Sequence, residues 1–351
     1  MSTREAARQL RYLLEPLSQW LSNPAVDEIA INRPEEAYVR QAGRFCRHAV
    51  QLDYDDLYDI AVLAGALNQQ NVGAELPLLA ADLPGGERLQ AVLPPCVPPG
   101  TVSLTIRRHA PEVAALRQAT RRYALGRWNR WQGRKAAQRA DYARLLAAFD
   151  SGEIIHFFEE VVRLKCNVIL CGHTGSGKTT FLKTLVSVIH PDERIITIEN
   201  ALELSIVNQP NHVRLLYSHG HQGVARVTQK ALLEAFLRMR PDRGLIGELR
   251  DPDAAYIYVS ECMTGHPGSP STIHGRDANQ AAIRLFNLFR ASPEGRSYSD
   301  EMIIAQLGMA VDVIVPFRET EGQYEIGEVW LGADADRRGT SFRELLETCP
   351  C

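Results

Sequence analysis

The sequence predicts an α/β fold: a larger domain built on a mostly parallel sheet, preceded by a smaller α+β domain. Three observations point there. An apolar run, Val168 to Cys171, leads straight into Gly172-His173-Thr174-Gly175-Ser176-Gly177-Lys178-Thr179, with Thr180 next, and meets every fixed position of G-x-x-x-x-G-K-[ST]. Behind it Phe181, Leu182, Leu185, Val186 and Ile189 recur at helical spacing, so the motif sits between a strand and a helix. From residue 151 onward strand-like and helix-like runs alternate, the pattern of a parallel sheet with crossover helices.

Composition sets the frame. At 351 residues the chain is long enough for two domains, each with its own core. An apolar content of 45% and a charged content of 23% are ordinary for a globular protein. A formal net charge of −3 gives no general attraction to nucleic acid. The first residues, Met1 to Arg8, lack the basic-then-apolar run of a secretory signal, and no stretch reaches membrane-span length. The seven cysteines are unpatterned, with no C-x-x-C pair to hold a structural zinc. The chain reads as cytoplasmic.

Residues 1–108 form the first expected unit. Leu10, Leu13, Leu14, Leu17 and Leu21 make one amphipathic helical face, ended by Asn23-Pro24. Glu28 to Asn32 and Ala37 to Val39 flank Arg33-Pro34-Glu35 as strands around a turn, and a helix is expected near 57–67. Arg88–Leu93 and Thr101–Ile106 are strand-like runs separated by Pro94, Pro95, Pro98 and Pro99. Residues 109–150 change character. Between Arg117 and Arg139 there are eight Lys or Arg and no acid, interleaved with Tyr123, Trp128 and Trp131. A nucleic-acid or headgroup surface is one reading. The favoured one is a basic linker, because Gly126 and Gly133 interrupt any single helical face.

Residues 151–351 make the larger domain. A helix over Ile154–Leu164 precedes the motif strand. Further strands are expected at Arg194–Ile198, His212–Leu216, Leu245–Glu248, Ser271–His274, Val311–Phe317 and Tyr324–Leu331, with helices near 228–239, 253–263 and 277–290. Ligands of such sheets sit at the strand C-terminal ends. The glycines let successive N–H groups of the motif point inward, the helix N-terminus adds positive potential, Lys178 reaches the β- and γ-phosphates, and Thr179 ligates Mg²⁺. The polar residues ending the other strands then matter: Glu199 and Glu203, Glu248, and His274. Carboxylates suit metal and water roles, and a histidine suits sensing of the γ-phosphate. The pattern leaves open whether Glu203 or Glu248 polarises the water.

Four boxes in order resemble the Walker A, Asp, Walker B and His boxes of the traffic ATPases of type IV secretion and conjugation systems, part of the secretion and pilus ATPase superfamily with a RecA-like core. They are Gly172–Thr180, Thr197–Leu204, Leu237–Arg243 running on to Gly247–Arg250, and Thr264–Ser269 with Ser271–His274. In the first unit Ala30–Pro34, Gly86–Gln90 and Val102–Arg107 are similar to that family as well. The resemblance implies a RecA-like P-loop NTPase domain with a smaller α+β N-terminal domain, ATP with Mg²⁺ as the ligand, and ATP hydrolysis. It also implies a homohexamer docked on inner-membrane components of a secretion channel, including other ATPases, and a cytoplasmic protein peripherally associated with the inner membrane. Arg88 and Arg107 occupy the positions of arginines that reach the phosphates in the family, and the planar fork of arginine suits that contact. Asn200 stands where an aspartate is usual, and Gly244 where a branched apolar residue is usual. The long linker resembles the subgroup in which the ATPase domain packs against a neighbour's N-terminal domain.

The leading reading is thus a hexameric ATPase motor of a type IV secretion or conjugation apparatus. The alternatives are a type IV pilus ATPase or a type II secretion ATPase, the latter typically carrying a four-cysteine zinc element that is absent here, a nucleic-acid motor supported only by the basic linker, and a scaffold that binds ATP but barely turns it over. Nucleic acid is not expected to be the primary partner.

Overall fold

The computed structural model describes residues 3–108, 142–218, 223–334 and 341–347. The first stretch folds around six antiparallel strands: β1 (Val26–Ile31), β2 (Glu36–Gln41), β3 (Arg44–Ala49), β4 (Leu78–Asp82), β5 (Arg88–Val92) and β6 (Ser103–Arg107). Their order across the sheet is β3-β2-β1-β6-β5-β4. The helices Thr3–Leu13 and Tyr54–Leu67 cover one face, burying Leu10, Leu57 and Ile60 with Ile29, Leu89 and Ile106. Asp53 starts the second helix with a capping box, accepting from the Asp56 amide while Asp56 accepts from its own. The leucine run near the N-terminus does not make a single helix. Pro16 lacks an N–H, and the chain continues as a 3-10 turn, Glu15–Leu17, and a short helix, Ser18–Leu21.

The larger unit is built on β7 (Val168–Gly172), fully buried and parallel to its neighbours on both sides. One sheet runs β11 (Pro270–Ile273), β7, β12 (Val313–Thr320), β13 (Gln323–Ile326). The other runs β10 (Arg243–Ile246), β8 (Ile195–Glu199), β9 (His212–Leu216), and a parallel bridge between Glu248 and Thr272 joins it to β11. The expected strand 324–331 is two strands, β13 and β14 (Trp330–Leu331), both antiparallel to β12. Pro316 in β12 has no N–H to give the ladder, so between them only the Gly327 amide bonds to it, donating to the Pro316 carbonyl at 2.8 Å. Helices Lys178–Val188, Gln229–Arg238, Pro252–Met263 and Ala278–Ala291 lie close to the expected spans.

Of the expected linker 109–150, residues 109–141, with the basic and tryptophan-bearing stretch, lie outside the described residues. The helix Ala143–Ser151 packs with the larger unit, its Leu145 and Ala148 joining Phe157, Val161 and Leu182 in the core. The two units meet on a buried polar seam. Arg194, fully buried, donates to Asn32 Oδ1 at 2.7 Å and to the Met239 carbonyl at 3.0 Å, and it also donates to Asn211. Burial pulls its guanidinium down to about 10, with Glu28 and Asp242 opposing the shift. Val92, Cys96 and Val97 of the first unit share a core with Ile196, Val213 and Leu215.

Candidate nucleotide site

The phosphate loop forms because glycine stands where a side chain would clash or be strained, at Gly172, Gly175 and Gly177. A Cβ on Gly172 would lie 2.4 Å from the Phe317 carbonyl oxygen and 2.5 Å from Ser176 Oγ. Gly177 holds φ at 87°, a left-handed conformation that side chains disfavour, and it is the N-cap of the helix Lys178–Val188. No side chain caps that helix, whereas Asp251 and Asp277 cap the helices that follow β10 and β11. Its first N–H groups therefore remain free to meet an anion. His173, Thr174 and Gly175 are exposed on the loop, and Thr179 and Thr180 follow in the first turn.

Lys178 is buried beneath the loop, and its ammonium donates to the carbonyls of Gly172 at 2.9 Å and His173 at 2.6 Å. Burial lowers its pKa, and the nearby Glu248 carboxylate opposes that shift.

Glu248 and His274 follow β10 and β11, adjacent strands, and lie together. Glu248 Oε1 is 3.0 Å from His274 Nε2 and accepts no well-aligned hydrogen bond. Its other oxygen, Oε2, accepts from Arg250 Nε at 2.7 Å. Sequence reasoning gave Arg250 no role. The signal was its spacing, since residues two apart in extended chain point the same way. Glu203 is exposed and lines one narrow crevice with Glu248, Arg250 and Tyr217. Glu199 is committed elsewhere. It is buried, receives the amides of Glu203 at 3.0 Å and Leu204 at 2.9 Å, and binds Arg214 through both oxygens at 3.1 Å.

Lys178, Glu248 and His274 thus lie near one another, and Glu203 shares a crevice with Glu248 that no loop residue lines. Arg88 and Arg107 lie elsewhere. They pair across β5 and β6, both exposed, and line a cleft of about 860 Å3 with Asp27, Glu28, Arg40, Arg238 and Arg240. No residue of the phosphate loop lines it. Glu28 in its wall is buried, with one oxygen 3.4 Å from Arg240 Nε, and burial raises its pKa against the pull of Arg240 and Arg107.

A glycine-bounded loop at the end of a central parallel strand, opening an uncapped helix, places the chain among the P-loop NTPases. Residues 134–318 match the family described as Type II/IV secretion system protein. Protein VirB11 of Rhizobium radiobacter is 53% identical over 97% of this chain and 99% of its own length. The type IV secretion system protein VirB11 of Bartonella quintana is 36% identical over 90% of this chain and 91% of its own. The crystal structure of the VirB11 ATPase from the Brucella suis type IV secretion system, in complex with sulphate, matches with a TM-score of 0.85 at 31% identity, covering 96% of this chain and 98% of that one. The chain belongs to the VirB11 family of type IV secretion ATPases. Among the described residues no helix is long and apolar enough to cross a membrane.

Proposed function

We propose that this chain hydrolyses ATP within a homohexameric ring that drives a type IV secretion apparatus, each site being completed by arginines of a neighbouring subunit. The observation that carries the reading is the placement of Lys178, Glu248 and His274 around one uncapped helix start. ATP lays its phosphates along residues 172–180. Lys178 leaves the Gly172 and His173 carbonyls for the β- and γ-phosphates, where its charge matches what develops as the bond breaks. Water adds to the γ-phosphorus, the bond to ADP breaks, and a carboxylate takes the water's proton. Glu248 is better placed than Glu203 for that step, being half-buried and facing His274 rather than solvent.

The donor set also suits Mg²⁺. Such an ion keeps several waters and needs only one or two protein oxygens beside the phosphates, so a closed cage of ligands is not required. The Thr179 hydroxyl would hold it directly, and the buried, poorly bonded Oε1 of Glu248 would accept from one of its waters. When bound, the ion neutralises phosphate charge. Arg88 and Arg107 line a separate cleft in their own chain, so the phosphates they reach in this reading are those of an adjacent subunit. Inner-membrane components of the channel, including its other ATPases, are the partners of the ring.

Sedimentation with and without ATP–Mg²⁺, combined with phosphate release, tests the reading. Nucleotide-stabilised rings that release phosphate are expected. A protein that stays monomeric at full turnover would remove the shared site.

A further inference from the structure

We propose that Tyr324 is the stacking platform for the base of the bound nucleotide. This rests on the nucleotide reading of residues 172–180 and adds to it the end of the ligand that none of the loop residues addresses.

The argument starts from strand order. Through the Glu248–Thr272 bridge the strands follow β9-β8-β10-β11-β7-β12-β13. Glu248 and His274, which act on the terminal phosphate in that reading, follow β10 and β11 on one side of β7. A triphosphate laid along the loop with its γ end toward them directs its nucleoside end to the other side. That side is the hairpin of β12 and β13.

The hairpin is held against the loop at two points. The Phe317 carbonyl closes on Gly172, and the Tyr324 ring closes on Gly177. A Cβ on Gly177 would lie 3.3 Å from both Cγ and Cδ1 of Tyr324 and 3.6 Å from Cδ2. Near-equal distances to three ring atoms mean that the ring covers the glycine around its Cγ. A short paired hairpin carries it. Its two-residue turn, Glu321-Gly322, has positive φ at both positions, 53° and 80°, the twist that matches paired strands. Tyr324 pairs with Glu319, the second pair from that turn.

The rest of the ring is open: Tyr324 is 65% exposed. An aromatic ring fixed by a short hairpin, in contact with the N-cap glycine of the phosphate-loop helix and otherwise facing solvent, gains little from burial. It offers a free π-surface beside the place where the nucleoside leaves the loop. Such a surface binds any base and selects weakly among them.

The test compares three ligands: ATP, GTP and inorganic tripolyphosphate, each titrated with Mg²⁺ by calorimetry. Aromatic stacking of a base predicts a loss of roughly tenfold in ATP and GTP affinity for Tyr324→Ala. Tripolyphosphate affinity is expected to stay at the wild-type value, and Tyr324→Phe to keep the affinity for both nucleotides. Tyr324→Leu separates packing from stacking, since it covers Gly177 without a π-face. It is expected to bind nucleotide as poorly as Tyr324→Ala. Wild-type nucleotide affinity in Tyr324→Leu or Tyr324→Ala overturns the proposal, and so does a parallel loss of tripolyphosphate, which would make the ring only a brace for the loop. A wild-type protein that binds none of the three ligands would instead remove the phosphate site itself.

Discussion

The Glu261 carboxyl fills the space that a side chain on residue 244 would need. A Cβ on Gly244 would stand 1.7 Å from Glu261 Oε1, 2.3 Å from its Cδ and 2.7 Å from Phe236 Cζ. This accounts for the glycine near the start of β10. The carboxyl has taken the volume of a side chain. Gly244→Val should therefore destabilise the fold by about 1–3 kcal/mol through overpacking. Combining it with Glu261→Ala should cost less than the sum of the two single changes, because the second vacates what the first needs. Urea midpoints of the three variants measure this, and strict additivity would show that the sites do not compete for space.

The same carboxyl is held neutral. Ser269 Oγ lies 2.6 Å from Glu261 Oε1 and 2.6 Å from the Gly244 carbonyl oxygen, both acceptors if Glu261 is ionised. One hydroxyl proton serves one of them, so a protonated Glu261 that donates to Ser269 satisfies both. Burial raises its pKa from 4.5 to about 8 in agreement with that count. The folded chain then binds this proton more tightly than the unfolded chain. Its stabilising contribution is full below about pH 4.5, declines as pH rises, and is lost once pH passes about 8. Melting temperature should fall across that window in the wild type, and Glu261→Gln should flatten the slope. An unchanged slope in the variant would assign the titration to another group.

At the phosphate loop, Lys178→Ala should reduce turnover roughly a hundredfold or more, as loss of a charge that stabilises the transferring phosphoryl group does. Glu248→Gln keeps the shape but removes the carboxylate that takes the water's proton in the proposed reading, so nucleotide binding should survive while turnover is lost. Glu203→Gln is the comparison. A dead Glu203→Gln beside an active Glu248→Gln, measured by single-turnover hydrolysis, would reverse the two roles.

The buried seam between the units depends on the fork of Arg194. Arg194→Lys keeps the charge but cannot reach Asn32, Asn211 and the Met239 carbonyl together. A loss of about 2–3 kcal/mol in unfolding free energy is expected, since buried partners are left without donors. A change in the urea midpoint too small to measure would mean that the apolar contacts of Val92 and Val97 hold the boundary alone.

The readable parts of the chain were those where one local rule decides. The strand, loop and helix around Gly172–Thr180 were legible because glycine, lysine and apolar spacing act within a few residues. Strand β3 was not, because its residues are mostly exposed and Arg44, Arg47 and His48 break any apolar alternation. The helix Asp300–Ala310 was missed although Ser299 caps it, because Ile303, Leu307 and Ala310 are its only buried side chains and the stripe is short. The partnership of Glu261 with Gly244 was beyond reach, since it joins a helix to a strand 17 positions earlier by shape alone. The leucines near the N-terminus carried a clean helical period that Pro16 overrules.

The last prediction concerns Arg88 and Arg107. Exposed arginines on strands are ordinarily solvated charges that contribute little. These two stand side by side in register, on a concave surface with Arg40, Arg238 and Arg240, and the phosphate loop of their own chain takes no part in it. If they serve a neighbour's nucleotide, an inactive loop and an inactive arginine pair can complement each other. Lys178→Ala and the double variant Arg88→Ala/Arg107→Ala should each be nearly inactive alone. Mixed and reassembled, they form rings in which some interfaces bring an intact loop against intact arginines, and activity should reappear in proportion to those interfaces. Lysine at both arginine positions should complement poorly, because it lacks the bidentate fork. Phosphate release from mixtures at several ratios gives the answer. Activity that never exceeds the sum of the two separate proteins would place both arginines within their own subunit's site, or outside the site altogether.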